Sequence, residues 1–160
     1  MRNAVTLDIQ PQWFLEWPEG DDIVIAELLA KACEVQALAN LYYLKCHPFV
    51  RRLYETPIRY IAEPPQPIAF LGIPTIAAQG GSDCKNLVAA RLAEIWRDEE
   101  KPPPYGYGER RSHVKTYWKM PPAGSALRRI FHAEIRLPDE LPNGERNPET
   151  VEDVSRYLGM

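Results

Sequence analysis

The stretch Gly80-Gly81-Ser82-Asp83-Cys84-Lys85-Asn86-Leu87-Val88-Ala89-Ala90-Arg91-Leu92 places a cysteine where two glycines give way to good helix formers. A thiol at the start of a helix lies at the positive end of the helix dipole, which favours the thiolate. Because the thiolate is the nucleophilic form of cysteine, this stretch predicts a reactive residue at Cys84.

The helix predicted from about Asp83 to Arg97 carries an apolar face at helical spacing. The members of this face are Cys84, Leu87, Val88, Leu92 and Ile95. We therefore expect Cys84 to point toward whatever the helix packs on. A small structural core residue is the alternative interpretation, because free cysteines are commonly buried.

The composition is typical of one globular domain, 1–160. The chain has 160 residues, 45% of them hydrophobic and 26% charged, and its net charge of −3 gives no indication of nucleic-acid binding. No apolar run reaches the roughly 20 residues of a membrane span, and no signal-peptide core precedes Pro11. We therefore expect a cytoplasmic protein with neither a nucleic acid nor a membrane as its partner.

The three cysteines are widely and unequally spaced and include no CxxC pair. This pattern predicts neither a disulfide framework nor a zinc site, and we expect no metal and no cofactor. Cys33 and Cys46 fall on or just after a predicted helix and are interpreted as structural, as is His47 beside Pro48.

Residues 1–56 form an N-terminal arm and a long helix in this interpretation. A short strand is predicted at Ala4–Ile9, followed by an aromatic segment from Trp13 to Trp17. Asp21 and Asp22 occupy the expected N-cap of a helix that runs from Ile23 to about Lys45. Its predicted apolar stripe consists of Ile25, Leu28, Leu29, Ala32, Val35, Leu38 and Ala39.

The segment from Pro57 to Gly81 is rich in proline and is predicted to be a long ordered loop. Two strands are predicted later, at His113–Lys119 and at Phe131–Leu137, where apolar and polar residues alternate. A turn region from Pro138 to Pro148 leads to a last short strand near Thr150–Val154. The combination predicts an α+β fold.

His132 is the preferred partner of Cys84. It lies with Glu134 and Arg136 on the polar face of its strand, where a core histidine would not be expected. A histidine on a strand that packs against the Cys84 helix could exchange a proton with the sulfur. His113 on the preceding strand is the competing candidate.

A cysteine–histidine pair commonly uses a third group to orient the imidazole. The acidic candidates downstream are Asp139, Glu140, Glu149, Glu152 and Asp153. Asp153 is preferred, because its strand is predicted to lie antiparallel and adjacent to the His132 strand. Spacing alone leaves the choice open.

Three segments carry a resemblance to a known family. They read Gly-Ser-Asp-Cys-Lys-Asn-Leu-Val-Ala-Ala-Arg-Leu-Ala-Glu-Ile, Phe-His-Ala-Glu-Ile-Arg-Leu-Pro-Asp and Val-Glu-Asp-Val-Ser-Arg-Tyr-Leu-Gly-Met. They resemble the transglutaminase-like cysteine-protease superfamily, in particular small bacteriophage and prophage members with Gly-Asp-Cys-Glu-Asp-Leu, a His-Ala or His-Val strand, and a closing Glu-Asp-Pro-Ser-Arg-Leu-Leu-Gly-Met. The match covers residues 80–97 and 131–160 and is loose or absent over 1–79.

The resemblance implies a papain-like core, 80–160, in which a cysteine-bearing helix packs on an antiparallel sheet; the long N-terminal helix is an addition to it. It implies a triad of Cys84 as nucleophile, His132 as general base and acid, and Asp153 as orienting carboxylate. The implied oxyanion donors are the backbone N–H of Cys84 and, as its side-chain candidate, the amide of Gln79.

The sequence departs from the family pattern at three places. Lys85 and Asn86 replace the acidic pair after the cysteine, Ser82 is inserted before Asp83, and Val154 replaces a proline. Lys85 would favour the thiolate electrostatically, so its presence does not argue against a reactive thiol, and the departures are compatible with either an active or a silent member.

Two functions follow from the resemblance. The first is a phage- or prophage-related cysteine enzyme that hydrolyses protein or peptide amides or transfers their acyl group, with a phage structural protein as one possible substrate. The alternative is a catalytically silent member that keeps the fold for assembly or binding in a phage particle.

Overall fold

The computed structural model describes residues 4–7, 19–47, 58–61, 68–119 and 130–154. The described residues form three helices, α1 (Glu19–Cys46), α2 (Ile73–Gln79) and α3 (Cys84–Glu99). Their strands are β1 (Ala4–Leu7), β2 (Arg59–Tyr60), β3 (Ile68–Leu71), β4 (Gly81–Ser82), β5 (His113–Lys119), β6 (Ile130–Arg136) and β7 (Val151–Glu152). The fold is therefore α+β, as the sequence predicts.

The main sheet is antiparallel and has the order β5-β6-β7. In its register Tyr117 lies opposite His132, and Ile135 lies opposite Glu152. The predicted pairing of the last strand with the His132 strand is confirmed. Two small ribbons accompany the sheet, β1 with β3 antiparallel and β2 with β4 parallel.

Helix α3 lies at the centre of the core and packs against both α1 and β6. Asp83 caps the helix, since its side chain accepts a hydrogen bond from the backbone N–H of Asn86. Three members of the predicted apolar face are fully buried, Cys84 and Ile95 are half-buried, and the small residues on the other side are buried as well. The fully buried members are Leu87, Val88, Ala89, Ala90, Leu92 and Ala93.

Buried polar contacts fix α3 to its neighbours. The carboxylate of Glu152 on β7 accepts two hydrogen bonds from the guanidinium of Arg91, at 2.8 and 3.2 Å. The indole Nε1–H of Trp96 donates to the carbonyl of Ser112, just before β5, at 2.8 Å. These contacts hold the start of β5 and the whole of β7 in position against one helix.

Helix α1 contradicts the prediction made for it in two respects. It begins at Glu19, so Asp21 and Asp22 lie inside its first turn and are not the N-cap. Leu28, Val35 and Leu38 are 52%, 54% and 42% exposed, so three members of the predicted stripe face away from the core, whereas Leu29 is buried as predicted. The buried face consists of Leu29, Cys33, Gln36, Ala37, Asn40, Leu41 and Leu44.

The close approach of α1 to α3 determines which face of α1 is buried. Sγ of Cys33 is 3.9 Å from the backbone carbonyl oxygen of Lys85, so small side chains are needed at the contact. Asn40 is buried there too, and its Oδ1 accepts the backbone N–H of Ile73 at 3.2 Å. Cys33 is a core residue, whereas Cys46, at the end of α1, is exposed.

The loop predicted from Pro57 to Gly81 contains β2, β3, α2 and β4. Pro74 lies in the first turn of α2, where a missing N–H costs no hydrogen bond. Gly80 ends α2 with φ of 78°, a left-handed conformation that favours glycine. The aromatic segment from Trp13 to Trp17 and the closing residues 155–160 lie outside the described residues. No helix among the described residues has the length and apolar character needed to cross a membrane.

Candidate active site

Cys84 is the first residue of α3 and its side chain is half-buried. The Gly80 turn and the short strand β4 lead the chain directly into the capped helix start. Backbone hydrogen bonds from Lys85 and Ala133 reach the thiol and lower its pKa, which identifies both groups as N–H donors. The sulfur therefore lies beside the backbone of β6, next to His132.

The strand pattern explains why Ala133 has an N–H to offer. The backbone N–H of Val114 on the edge strand β5 points away from β6 and donates to Oε1 of Glu34, at 3.1 Å. Val114 and Ile135 therefore form a non-hydrogen-bonded pair. Two residues along, the pair of Thr116 and Ala133 is of the same type, and the Ala133 N–H points away from β5.

On its other side, β6 pairs with β7 only at Ile135 and Arg136. The N–H of Ala133 is therefore not used by the paired part of β7, which leaves it free to bond to the Cys84 thiol. Sequence reasoning missed this donor, because no local pattern reveals where β7 stops pairing.

His132 and Asp153 are brought together by β6 and β7. Nε2 of His132 is 2.9 Å from Oδ2 of Asp153, and both side chains are largely shielded from solvent. The ring of Tyr117 meets the imidazole edge-on, with centroids 5.4 Å apart. Because the carboxylate holds Nε2, Nδ1 is the nitrogen that could exchange a proton with the sulfur. Among the described contacts, His132 and Cys84 have no direct hydrogen bond.

The electrostatic setting of Cys84 differs from the expectation. Its pKa is raised to about 11, first because burial penalises the charged thiolate and second because the Asp83 carboxylate is close. Lys85 and the two backbone N–H groups lower it by less. This raised pKa contradicts the expectation of a thiolate at the helix start, since burial and Asp83 raise the pKa by more than Lys85 and the two backbone N–H groups lower it.

Lys85 does not act on the sulfur as an isolated cation. Its Nζ forms a buried ion pair with Oδ2 of Asp83 at 2.5 Å and lies 5.5 Å from the centre of the Phe70 ring. Asn86 bridges two strands, since Oδ1 accepts the backbone N–H of Leu71 and Nδ2 donates to Oγ of Ser82, each at 2.9 Å. The residues that depart from the family pattern therefore stabilise the start of α3.

Gln79, the side-chain candidate for oxyanion binding, is the last residue of α2 and is exposed. Its Nε2 donates to the backbone carbonyl of Gly81 at 3.3 Å. The amide would have to leave this carbonyl to reach a ligand at the sulfur. Backbone N–H groups near Cys84 are therefore the better-placed donors in this structure.

The competing residues lie elsewhere. His113 is exposed and lies opposite Arg136, four residues along β6 from His132, or about 13 Å at the usual strand rise. Asp139, Glu140 and Glu149 are exposed in the segment between β6 and β7. Glu152 faces α3, where Arg91 binds it.

Three residues at the site have ligand atoms of the kind that metals bind. One oxygen each of Glu134 and Asp153 and one nitrogen of His132 lie within 4.8 Å of one another. The Glu134 carboxylate also accepts hydrogen bonds from Arg136, at 2.6 Å, and from the Tyr117 hydroxyl, at 3.2 Å. A cation here would have to compete with the Arg136 guanidinium for that carboxylate.

The structure brings together the elements of nucleophilic thiol chemistry: a cysteine at a helix start with backbone donors, and an imidazole oriented by a carboxylate on the strand that carries Ala133. Comparison with known proteins identifies no relative: no family model, no curated protein and no solved structure gives a significant match to this chain.

Proposed function

We propose that the chain is a small transglutaminase-like cysteine enzyme of phage or prophage type that acts on protein or peptide amides. Cys84 is the nucleophile, His132 the general base and acid, and Asp153 the carboxylate that orients His132. The observation that carries the proposal is the 2.9 Å contact between His132 Nε2 and Asp153, next to the strand position that receives the Cys84 sulfur.

The architecture supports a papain-like core as the finer description of the fold. The cysteine lies at the N-terminus of a helix that packs on an antiparallel sheet, the histidine lies on β6, and the aspartate directly follows the adjacent strand β7. The cytoplasm or a phage particle is the corresponding location, and the phage context rests on the sequence resemblance.

The raised pKa of Cys84 determines how the first step would proceed. The resting thiol is neutral, so Nδ1 of His132 takes its proton as the sulfur attacks the amide carbonyl carbon. The electron pair of the C=O bond moves to the oxygen, which backbone N–H groups at the start of α3 stabilise.

Collapse of this intermediate breaks the C–N bond, and His132 returns the proton to the leaving amine. The resulting thioester is then attacked by water, which gives hydrolysis, or by an amine, which gives acyl transfer. Asp153 stabilises the imidazolium that forms in each half-reaction.

One observation favours the alternative, a silent member that serves in phage structure or assembly. Burial and Asp83 hold the Cys84 thiol in the neutral form, and a neutral thiol without an effective base is inert. The two functions therefore differ in whether His132 activates the sulfur.

Alkylation with iodoacetamide at pH 7.5, read by peptide mass spectrometry, tests this difference. Cys46 is exposed and serves as the internal reference. The enzyme predicts that Cys84 reacts at least as fast as Cys46 and that His132→Ala slows it by about tenfold or more, whereas His113→Ala leaves the rate unchanged. If Cys84 reacts more slowly than Cys46 and His132→Ala does not change its alkylation rate, the silent function is the better description.

A further inference from the structure

Helix α1 carries large apolar side chains on the face that points away from the core. We name these residues the outward stripe: Val24, Leu28, Val35, Leu38 and Tyr42, with exposed fractions of 54%, 52%, 54%, 42% and 69%. They lie on one helix rather than being scattered over the surface. Contiguous exposed apolar residues of this kind mark interaction sites.

The spacing of the outward stripe indicates what kind of surface it fits. Val24, Leu28, Val35, Leu38 and Tyr42 fall on the a and d positions of a heptad repeat, and the two remaining positions are Lys31 and Lys45. An apolar seam at alternating steps of four and three is the pattern by which one helix packs along another. The partner surface is therefore a second helix.

The helix cannot bury the stripe by turning toward the core. Its opposite face is fixed by Asn40, which accepts the N–H of Ile73, and by Cys33, which packs at the start of α3. The hydroxyl of Thr116 on β5 also donates to the backbone carbonyl of Ala26. The stripe is thus available for a partner while the domain stays folded.

We propose that the outward stripe binds the same stripe of a second copy of this chain, with the two α1 helices antiparallel. In one register every layer has a partner: Val24 faces Tyr42, Leu28 faces Leu38, and Lys31 faces Val35, and two-fold symmetry repeats each layer. Such a self-complementary surface gives a closed dimer.

Charge selects this orientation over the parallel one. In a parallel pair Lys31 would face Lys31 and Lys45 would face Lys45. The antiparallel register separates these lysines and places Lys31 near Glu34 of the other copy. Glu34 uses only one carboxylate oxygen, Oε1, for Val114. The helix dipoles also oppose each other favourably.

The size of the contact fits a dimer of moderate strength. From position 21 to position 45 the helix extends about 36 Å, and two helices in contact over that length bury an area on the order of 1,000 Å². This is the lower end of specific interfaces, and we expect a dissociation constant of about micromolar magnitude.

Sedimentation velocity of the full chain from about 1 to about 100 µM tests the dimer, because this range brackets a micromolar dissociation constant. We expect the parent protein to move from monomer to dimer across the range. Val35→Lys should remain monomeric, since position 35 faces Lys31 in this register and the substitution brings two lysines together in both central layers. Tyr105→Lys, at an 80% exposed position outside α1, is the matched control and should dimerise like the parent. A parent protein that stays monomeric throughout, or a Val35→Lys variant that dimerises equally well, overturns the proposal.

Disulfide trapping tests the orientation in a Cys46→Ser background. Leu28→Cys mixed with Leu38→Cys should give a mixed covalent dimer under mild oxidation, whereas Leu28→Cys alone should stay monomeric on reducing-agent-free gels. Efficient self-linking of Leu28→Cys would overturn the antiparallel register. The result does not depend on the proposed enzyme function, because Cys84→Ala should leave the dimer unchanged.

Discussion

The two ends of α3 both carry a buried carboxylate, and they use it differently. At the C-terminal end, Glu99 accepts hydrogen bonds from the backbone N–H groups of Arg111 and Ser112, each at 2.9 Å, and from Oγ of Ser112 at 2.6 Å. At the N-terminal end, Asp83 binds the Lys85 ammonium and the N–H of Asn86, and its charge raises the pKa of the neighbouring Cys84.

The Glu99 carboxylate has a structural role, whereas the Asp83 carboxylate lies next to the proposed nucleophile. The Glu99 carboxylate ties the helix end to the start of β5 through neutral donors, and it has no reactive group beside it. The Asp83 carboxylate caps the helix and also adjusts the proton affinity of a half-buried thiol. The same residue class therefore contributes mainly to stability at one end and to chemistry as well at the other.

The largest expected effect is on the chemistry at the N-terminal end. His132→Ala should lower kcat/KM for a peptide amide by about 10²- to 10⁴-fold, because the neutral Cys84 thiol loses its base. The melting temperature should change little, because the imidazole lies outside the core cluster. Steady-state kinetics with His113→Ala as control checks this, and equal losses in both variants would contradict the assignment.

A substitution at the C-terminal end of α3 should lower stability and leave the chemistry of Cys84 unchanged. Glu99→Ala should lower the free energy of unfolding by about 3 kcal/mol, since it leaves buried donors of Arg111 and Ser112 without their acceptor. Among the molecules that remain folded, the alkylation rate of Cys84 should be unchanged. Urea denaturation and alkylation kinetics measure the two quantities.

The matched control is Glu100→Ala. Glu100 forms ion pairs with Lys45 and Arg110 at 2.7 and 3.3 Å, and both partners are largely exposed. Exposed pairs of this kind contribute at most about 1 kcal/mol. If Glu100→Ala destabilised the fold as much as Glu99→Ala, the structural role of Glu99 would not be specific.

A smaller effect tests how Asp83 acts on the thiol. Asp83→Asn keeps a residue that can cap the helix but removes the negative charge, so the pKa of Cys84 should fall from about 11. The thiolate fraction at pH 8 then rises, and alkylation should be about three- to tenfold faster. Asp98→Asn, at an exposed position near the other end of α3, should leave the rate unchanged. A slower rate in Asp83→Asn would show that capping and not charge dominates.

The N-terminal end of α3 was well predicted in its local structure. The helix start near Asp83 and the apolar face through Leu87 and Leu92 depend on neighbouring residues, which a sequence shows directly. The proton affinity of Cys84 could not be predicted in the same way. It depends on burial by distant segments and on an ion pair between Asp83 and Lys85, neither of which has a periodic signature.

Helix α1 shows the limit of periodicity more clearly. Periodicity predicts a core stripe that includes Leu28, Leu29, Val35 and Leu38, yet of these four only Leu29 is buried. The side that faces α3 is selected by how closely two backbones approach, and small residues such as Cys33 and Ala37 satisfy that requirement. Periodicity measures how apolar a face is, and it does not say whether the partner is the same chain or another molecule. The loop predicted around Pro74 contains a helix for a different reason. Proline is compatible with the first turn of a helix, so a proline-rich sequence does not exclude one.

The smallest expected effect is a loss of stability at alkaline pH that originates at the N-terminal end. The pKa of Cys84 is raised from 9.0 to about 11, so its contribution is fully present below pH 9 and is lost as pH rises toward 11, where the unfolded chain ionises first. Burial raises the pKa of Cys33 as well, in the same direction. Cys84→Ser should therefore make the free energy of unfolding less dependent on pH between 9 and 11 than in the parent chain. Cys46→Ser, at an exposed position, should not alter that dependence. Urea titrations at several pH values measure it, and an unchanged slope in Cys84→Ser would mean that the thiol is more solvated than its position beside Ala133 implies.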